Sequence, residues 1–70
     1  MLQEILTRNL KAARMRAGLS QMALAAKMGV SVSYIGMLER GVRCPPLSTL
    51  ERLGSALSVD PADLLRRTAA

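Results

Sequence analysis

The sequence predicts an all-α fold, a compact bundle of five helices in one domain. Helix-favouring Ala, Leu, Met and Arg are frequent, whereas strand-forming residues are sparse and Tyr34 is the only aromatic residue. Half of the 70 residues are hydrophobic, which is enough for one small core but not for two. We therefore expect a single domain over residues 1–70, with helices at about residues 2–17, 21–28, 32–40, 48–57 and 61–67.

The first three predicted helices have recognisable ends. An apolar stripe at helical spacing marks the first helix, and it consists of Leu2, Leu6, Leu10, Ala13 and Ala17. Gly18 ends this helix, because glycine adopts the left-handed conformation of a helix C-terminus without strain. Ser20 and Ser31 are the expected N-caps of the next two helices, since a serine hydroxyl accepts a hydrogen bond from the first turn. Gly29 forms the turn between these helices, and Gly41 ends the third.

The last two helices are predicted from their N-terminal signals. Two consecutive prolines keep residues 42–47 as a loop, because proline also restricts the residue before it. Ser48 is then the expected N-cap of the fourth helix, and Glu51 completes a capping box. Asp60 followed by Pro61 predicts the start of a short fifth helix.

Residues 21–40 form the most informative stretch of the chain. They are two short helices joined by a tight turn, and small Ala25 lies where the helices would cross. The apolar residues that can face one core are Leu24, Met28, Val30, Ile35 and Leu38. This is the layout of a helix-turn-helix, in which the second helix is presented to the DNA major groove.

The charge of the chain is unevenly distributed. Residues 7–43 contain seven Lys and Arg residues against one acidic residue, Glu39, whereas residues 44–70 carry no net charge. A basic half beside a neutral half is typical of a protein that binds nucleic acid with one face. The alternative interpretation of the same charges is a solvated helix surface.

The composition argues against an enzyme and against a bound cofactor or metal. No histidine is present, which excludes catalytic triads and imidazole acid–base chemistry. Cys44 is the only cysteine, so neither an intramolecular disulfide nor a cysteine zinc site can form. No apolar run approaches the ~18 residues of a membrane span, and no signal peptide is recognisable. We expect a complete, soluble, cytoplasmic protein with no small-molecule ligand.

The chain resembles the phage-repressor/Cro-type helix-turn-helix regulators, the xenobiotic-response-element family, over about residues 5–65. The resemblance rests on Leu19-Ser20-Gln21, Leu24-Ala25, Met28-Gly29-Val30, Ser33-Tyr34-Ile35, Leu38-Glu39-Arg40-Gly41, Leu47, Leu50, Leu53, Ala56-Leu57 and Val59. It implies the lambda-repressor-like DNA-binding fold and transcriptional regulation, often of the protein's own promoter. It also implies a homodimer on a roughly palindromic double-stranded DNA operator, with third helices in major grooves about 34 Å apart. Within the family, the run from Tyr34 to Arg43 looks most like controller proteins of restriction–modification systems.

The resemblance assigns expected roles to individual residues. It implies DNA base contacts for Val32, Ser33, Met37 and Arg43, and a phosphate contact for Gln21. Four further phosphate contacts are expected from the chemistry or position of the residues themselves, and they are Lys27, Tyr34, Arg40 and Thr49. Relatives pair an arginine and a glutamate at the positions of Arg14 and Glu39, which implies a structural ion pair. The expected dimer interface consists of Leu57, Val59, Leu64 and Leu65.

Several of these roles have a plainer alternative. Gln21 can be a solvated first-turn residue, Tyr34 can be a packing residue, and the four apolar C-terminal residues can simply close the base of the bundle. The third helix lacks Gln, Asn and Arg at the positions that relatives use on bases, so Arg40 and Arg43 are the stronger candidates for reading guanine. Gly36 brings no side chain and allows close backbone approach, at a helix cost of about 1 kcal/mol.

Two other functions compete with DNA binding. One is an antitoxin-like domain whose main partner is a protein, although antitoxins usually carry an additional partner-binding tail. The other is a small helical scaffold that has kept the fold without binding DNA. The basic segment of residues 7–43 favours DNA binding over both.

Overall fold

The computed structural model describes residues 2–67, and over this range it contains helices and no strand. The elements are α1 (Leu2–Arg16), α2 (Gln21–Met28), α3 (Val32–Arg40), α4 (Leu47–Leu57) and a 3₁₀ helix (Pro61–Leu65). The all-α prediction is confirmed. The prediction of five α-helices is wrong, because the last element is a short 3₁₀ helix and the described part of the chain has four α-helices.

Hydrogen bonding explains why the last element is a 3₁₀ helix. Its backbone bonds connect residues three apart, with Asp63 N donating to Asp60 O at 2.8 Å. The Asp60 side chain accepts from Ala62 N at 2.9 Å and so caps the start of this element, which the sequence places at Asp60 and Pro61. At the other end, Asn9 Nδ2 on α1 donates to the carbonyl oxygens of Leu64 at 3.0 Å and Arg66 at 2.8 Å. These carbonyls are thus bonded to α1 rather than to a further helical turn.

The local signals around α2 and α3 act as predicted. Ser20 Oγ accepts from Ala23 N at 2.9 Å, and Ser31 Oγ accepts from Tyr34 N at 3.1 Å. Gly29 has φ 69° and forms the left-handed end of α2, which allows the chain to turn directly into α3. The relative direction of the two helices is therefore set by short-range chemistry.

The predicted capping box at the start of α4 is wrong. The helix begins at Leu47, one residue earlier than expected, and Pro46 occupies the N-cap position with φ −66° and ψ 164°. Proline already has the extended conformation of an N-cap, and its carbonyl accepts from Leu50 N at 3.0 Å. Ser48 is consequently the second residue of α4, and no side chain caps this helix.

The core joins all five elements. Six side chains are essentially inaccessible to solvent, and they are Leu10, Leu24, Ile35, Leu38, Leu53 and Leu64. α3 packs against α1 and α2, α4 packs against α2, and the 3₁₀ helix packs against α1 and α4. Since α3 is wedged against two other helices by Ile35 and Leu38, its opposite face remains at the surface.

Candidate nucleic-acid interface

The connection between α2 and α3 is short and closely packed. Val30 N donates to Ala25 O at 3.0 Å, which returns the chain over the end of α2. Ala25 is only 3% exposed, so this small residue of α2 lies in the core. The result is a rigid pair of helices in which α3 has one core face and one solvent face.

The solvent face of α3 contains three of the four residues expected to contact bases. Val32 is 42% exposed, Ser33 is exposed and Met37 is half-buried. Arg40 follows on the same side of the helix, seven residues after Ser33, and is exposed. This face offers two apolar groups, one hydroxyl and one guanidinium, a combination suited to thymine methyls and guanine.

A buried ionic network fixes α3 against α1 and α2. Arg14 Nε donates to Glu39 Oε2 at 2.6 Å and Arg14 Nη2 donates to Glu39 Oε1 at 3.2 Å. The remaining guanidinium nitrogen donates to the Leu19 carbonyl at 2.8 Å. Among the described residues, no buried side-chain nitrogen or oxygen lacks a hydrogen-bond partner. The network therefore orients α3 without leaving a buried charge unpaired.

Gln21 belongs to this network, a role that sequence reasoning missed. Its Nε2 donates to Glu39 Oε1 at 3.1 Å, so the side-chain amide nitrogen is bonded inside the protein. The backbone N–H of Gln21 remains the first of α2 and points out of the helix N-terminus. The two residues are 18 positions apart, and no periodicity in the sequence indicates such a contact.

Lys27 has an intramolecular partner. Its Nζ donates to the Ala56 carbonyl at 3.1 Å, at the C-terminal end of α4. In the opposite direction, the Arg52 guanidinium of α4 donates to the Met28 carbonyl at the end of α2. Each cation thus lies at the negative end of the other helix, where it is favoured. Lys27 also lies six residues along α2 from Gln21, which is about 9 Å of helix.

The other predicted contact residues lie at the edges of α3 and α4. Arg43 is exposed in the loop after α3, and its backbone N–H donates to the Met37 carbonyl at 3.4 Å. Thr49 is half-buried in the uncapped first turn of α4. Tyr34 is half-buried with its ring against the core cluster, which is the packing role that its alternative interpretation describes.

The structure removes Leu57 and Leu64 from the expected dimer interface. They are 4% and 2% exposed and belong to the core of the chain itself. Val59 and Leu65 pack against that core but keep part of their surface. The physical reason is that the 3₁₀ helix lies flat against α1 and α4, which directs Leu64 inward.

An exposed apolar surface lies beside Leu65, and we call it the Leu47 surface. Leu47 is 79% exposed and Leu2 is 62% exposed. Together with Leu65 they border a shallow groove of about 170 Å³, whose other lining residues are Gln3, Leu6, Cys44, Pro45 and Leu50. None of these residues is charged, so two apolar surfaces of this kind could meet without desolvating an ion.

The described residues offer neither a metal cluster nor a membrane-spanning helix. Between residues 2 and 67, no group of three or more His, Cys, Asp or Glu side chains is placed to hold a metal ion. No helix in the same range is both long enough and apolar enough to cross a membrane.

The four-helix fold of the described residues and the solvent face of α3 define a class of protein, the helix-turn-helix DNA-binding domain. A family model described as Helix-turn-helix matches residues 10–64. The chain belongs to this family of DNA-binding transcriptional regulators. The resemblance expected from the sequence is therefore confirmed.

Individual relatives include regulators and controller proteins. Control protein C.SmaI of Serratia marcescens is 41% identical over 66 residues, which are 94% of this chain and 79% of that protein. The uncharacterized HTH-type transcriptional regulator y4dJ of Sinorhizobium fredii is 34% identical over 67 residues, covering 96% of this chain and 87% of that one.

Solved structures of similar fold are also transcription factors or controller proteins. A hypothetical transcription factor, NHTF from Neisseria, has a TM-score of 0.90 and 32% identity, covering 94% of this chain and 76% of that one. The restriction-modification controller protein C.AhdI from Aeromonas hydrophila has a TM-score of 0.84 and 35% identity. That match covers 89% of this chain and 94% of that one.

Proposed function

We propose that this protein is a homodimeric, sequence-specific regulator of transcription, of the restriction–modification controller type, acting on cytoplasmic DNA. The observation that carries the proposal is the solvent face of α3, which is held by the Arg14–Glu39 network and flanked by exposed Arg40 and Arg43. The likeness to C.SmaI and C.AhdI supports the controller assignment.

Base contacts are proposed for the solvent face of α3 and for the loop that follows it. Val32 and Met37 would pack on thymine methyl groups, and Ser33 would hydrogen-bond to either base pair. Arg43 would bind guanine or enter a narrow minor groove, because its side chain is exposed and its backbone is tied to α3.

Phosphate contacts are proposed for the N-termini of α2 and α4. The Gln21 backbone N–H is at the positive end of α2, where anions are favoured. At α4 the absence of a side-chain cap leaves the first-turn N–H groups of Ser48 and Thr49 available to a phosphate oxygen. The Tyr34 hydroxyl is a further candidate. The proposed DNA surface excludes Lys27, because its ammonium group is bonded to the end of α4.

Dimerisation is proposed from the dimensions of the domain and from the Leu47 surface. Each chain has a single α3, and its longest extent is 30 Å. Adjacent major grooves on one DNA face are about 34 Å apart, so one chain can place a helix in only one of them. A palindromic site therefore needs two copies. The Leu47 surface, which includes Leu65, is uncharged, and it replaces the buried pair Leu57 and Leu64 as the proposed contact.

The proposal is tested by fluorescence anisotropy with the DNA immediately upstream of the protein's own gene. A scrambled duplex of equal length and composition, at the same physiological salt, is the control. We expect a preference of about 1,000-fold or more for the upstream duplex. If the dimer makes about 8 phosphate contacts, log affinity will fall with log salt at a slope of roughly −7. Equal binding to both duplexes would contradict specific regulation, and no binding to either would favour a protein partner.

A further inference from the structure

The geometry points to Gly36 as a specificity-determining residue that acts through Arg40. By lacking a side chain, Gly36 lets the Arg40 guanidinium lie forward along the solvent face of α3, where it reads a guanine instead of holding a phosphate. This inference rests on the proposed DNA-binding function.

The first observation is the position of the Arg40 guanidinium. A Cβ placed on Gly36 would lie 3.1 Å from Arg40 Nη1 and 3.9 Å from Arg40 Cζ. Apart from the adjacent residues Ile35 and Met37 and the backbone of α3, no other atom of the described residues comes within 4 Å of that position. Helical side chains point toward the N-terminus and meet the residue four positions earlier. Arg40 therefore extends back over Gly36, toward the half of α3 that enters a major groove.

The second observation is that the Arg40 guanidinium has no competing partner within the described part of the chain. Among residues 2–67, no hydrogen bond or ion pair holds the Arg40 side chain, whereas Arg14 is bonded to Glu39 and to the Leu19 carbonyl. Its donors are thus free for a ligand on the solvent face. A guanidinium can donate two parallel hydrogen bonds to guanine O6 and N7, which an ammonium group cannot match.

The third observation is that Gly36 has no structural need to be glycine. Three other glycines have positive φ, a conformation that only glycine adopts readily, and they are Gly18, Gly29 and Gly41. At Gly54 a Cβ would lie 2.8 Å from Pro61 Cγ. Gly36 has neither constraint, since its φ is not positive and its only close neighbour is a flexible side-chain tip. Glycine inside a helix costs stability, so its presence here is explained by the space it leaves for Arg40.

The competing explanation is that Gly36 allows the α3 backbone itself to approach the DNA. The two explanations differ in whether the effect of Gly36→Ala depends on Arg40. A double-substitution cycle of Gly36→Ala and Arg40→Ala therefore separates them.

The experiment begins with selection of bound duplexes from a random pool by the unmodified protein. Every position of the selected duplex is then varied in turn, and the dissociation constant is measured for each base. We expect a guanine preference of at least about 10-fold at one symmetric pair of positions, because a bidentate arginine contact discriminates at this level. Arg40→Ala and Arg40→Lys will each lose this preference, and preferences elsewhere in the site will persist.

Gly36→Ala will reduce the same guanine preference, because the new methyl group displaces the guanidinium. Gly36→Ala will also raise Tm by about 4 °C in the absence of DNA, because alanine favours a helix more than glycine does. The added methyl group displaces only a flexible side chain, so no strain cancels this gain. In the Arg40→Ala background, Gly36→Ala will have no further effect on any base preference.

Three outcomes would overturn the inference. One is an equal loss of affinity for all duplexes on Arg40→Ala, which would make Arg40 a phosphate contact. Another is an undiminished effect of Gly36→Ala in the Arg40→Ala background, which would indicate backbone approach. The third is failure of the unmodified protein to enrich any sequence, which would overturn both this inference and the proposed function. The first two outcomes would overturn only this inference.

Discussion

Arg14 Nε lies 2.6 Å from Glu39 Oε2, and the two side chains are only 12% and 5% exposed. This ion pair joins α1 to α3, the helix proposed to contact DNA, and Gln21 extends it to α2. Its function is to orient α3, because neither charged group is accessible enough to serve as a DNA contact.

Arg14→Ala should destabilise the domain by about 3 kcal/mol, because it leaves the Glu39 carboxylate buried without its cation. That is a large share of the total of roughly 3–10 kcal/mol expected for a chain of this length. Urea unfolding followed by circular dichroism measures the loss. The control is the double variant Arg14→Met/Glu39→Leu, which removes both charges and should recover part of the stability. A single variant as stable as the unmodified protein would contradict the structural role.

Asn9 should be essential for holding the 3₁₀ helix. Its amide nitrogen donates to the carbonyls of Leu64 and Arg66, and the residue is 8% exposed. Asn9→Ala should cost about 2 kcal/mol, and Asn9→Asp should cost more, because a carboxylate cannot donate to carbonyl oxygens. Thermal unfolding of the three proteins gives the order of stability. An aspartate variant more stable than the alanine variant would contradict this account.

The parts of the fold that can be predicted from the sequence are those determined by neighbouring residues. Ser20 and Ser31 cap their helices with bonds to residues three positions away, and Gly29 supplies its own backbone conformation. Ser48 carries the same signal, but the preceding proline pair begins the helix one residue earlier. The N-cap position is therefore determined by the extended conformation of Pro46 and not by the capping propensity of Ser48.

The parts that cannot be predicted from the sequence depend on distant residues. The partners of Gln21 and Lys27 are 18 and 29 positions away, and in the sequence their side chains resemble free surface groups. The burial of Leu64 depends on the packing of the 3₁₀ helix against α1 and α4, where the sequence predicts an α-helix. Interactions of this kind follow from how the elements pack, which helical periodicity does not specify.

Lys27→Ala should leave DNA binding almost unchanged. The ammonium group is bonded to Ala56 O and lies about 9 Å along α2 from Gln21. We expect the slope of log affinity against log salt to change by less than about 0.5, whereas removing one phosphate-binding cation from each copy of a dimer would change it by about 1.8. Anisotropy titrations at several salt concentrations measure the slope. The larger change would restore Lys27 to the DNA surface.

Arg43→Ala should relax sequence preference more than it weakens general binding. The side chain is exposed, and the backbone of its loop is tied to the end of α3 through Met37 O, so its reach is defined. We expect about a 10-fold loss for the preferred duplex and a smaller loss for a scrambled one. Arg16→Ala, at an exposed arginine that ends α1, is the control for removing one positive charge. Equal losses on both duplexes for Arg43→Ala would assign it to the phosphate backbone.

Leu47→Glu should weaken dimerisation without unfolding the chain. Leu47 is 79% exposed, so the charged side chain meets solvent in the monomer, but two copies would have to bury it against the uncharged groove beside Leu65. Sedimentation velocity in the absence of DNA should show a shift toward monomer, a result that does not depend on the phosphate contacts proposed for the first turn of α4. Met15→Glu is the matched control, because Met15 is 62% exposed on α1 and does not line that groove. If both variants remain dimeric to the same extent, the second copy binds elsewhere, and the remaining surface around Val59 becomes the place to test.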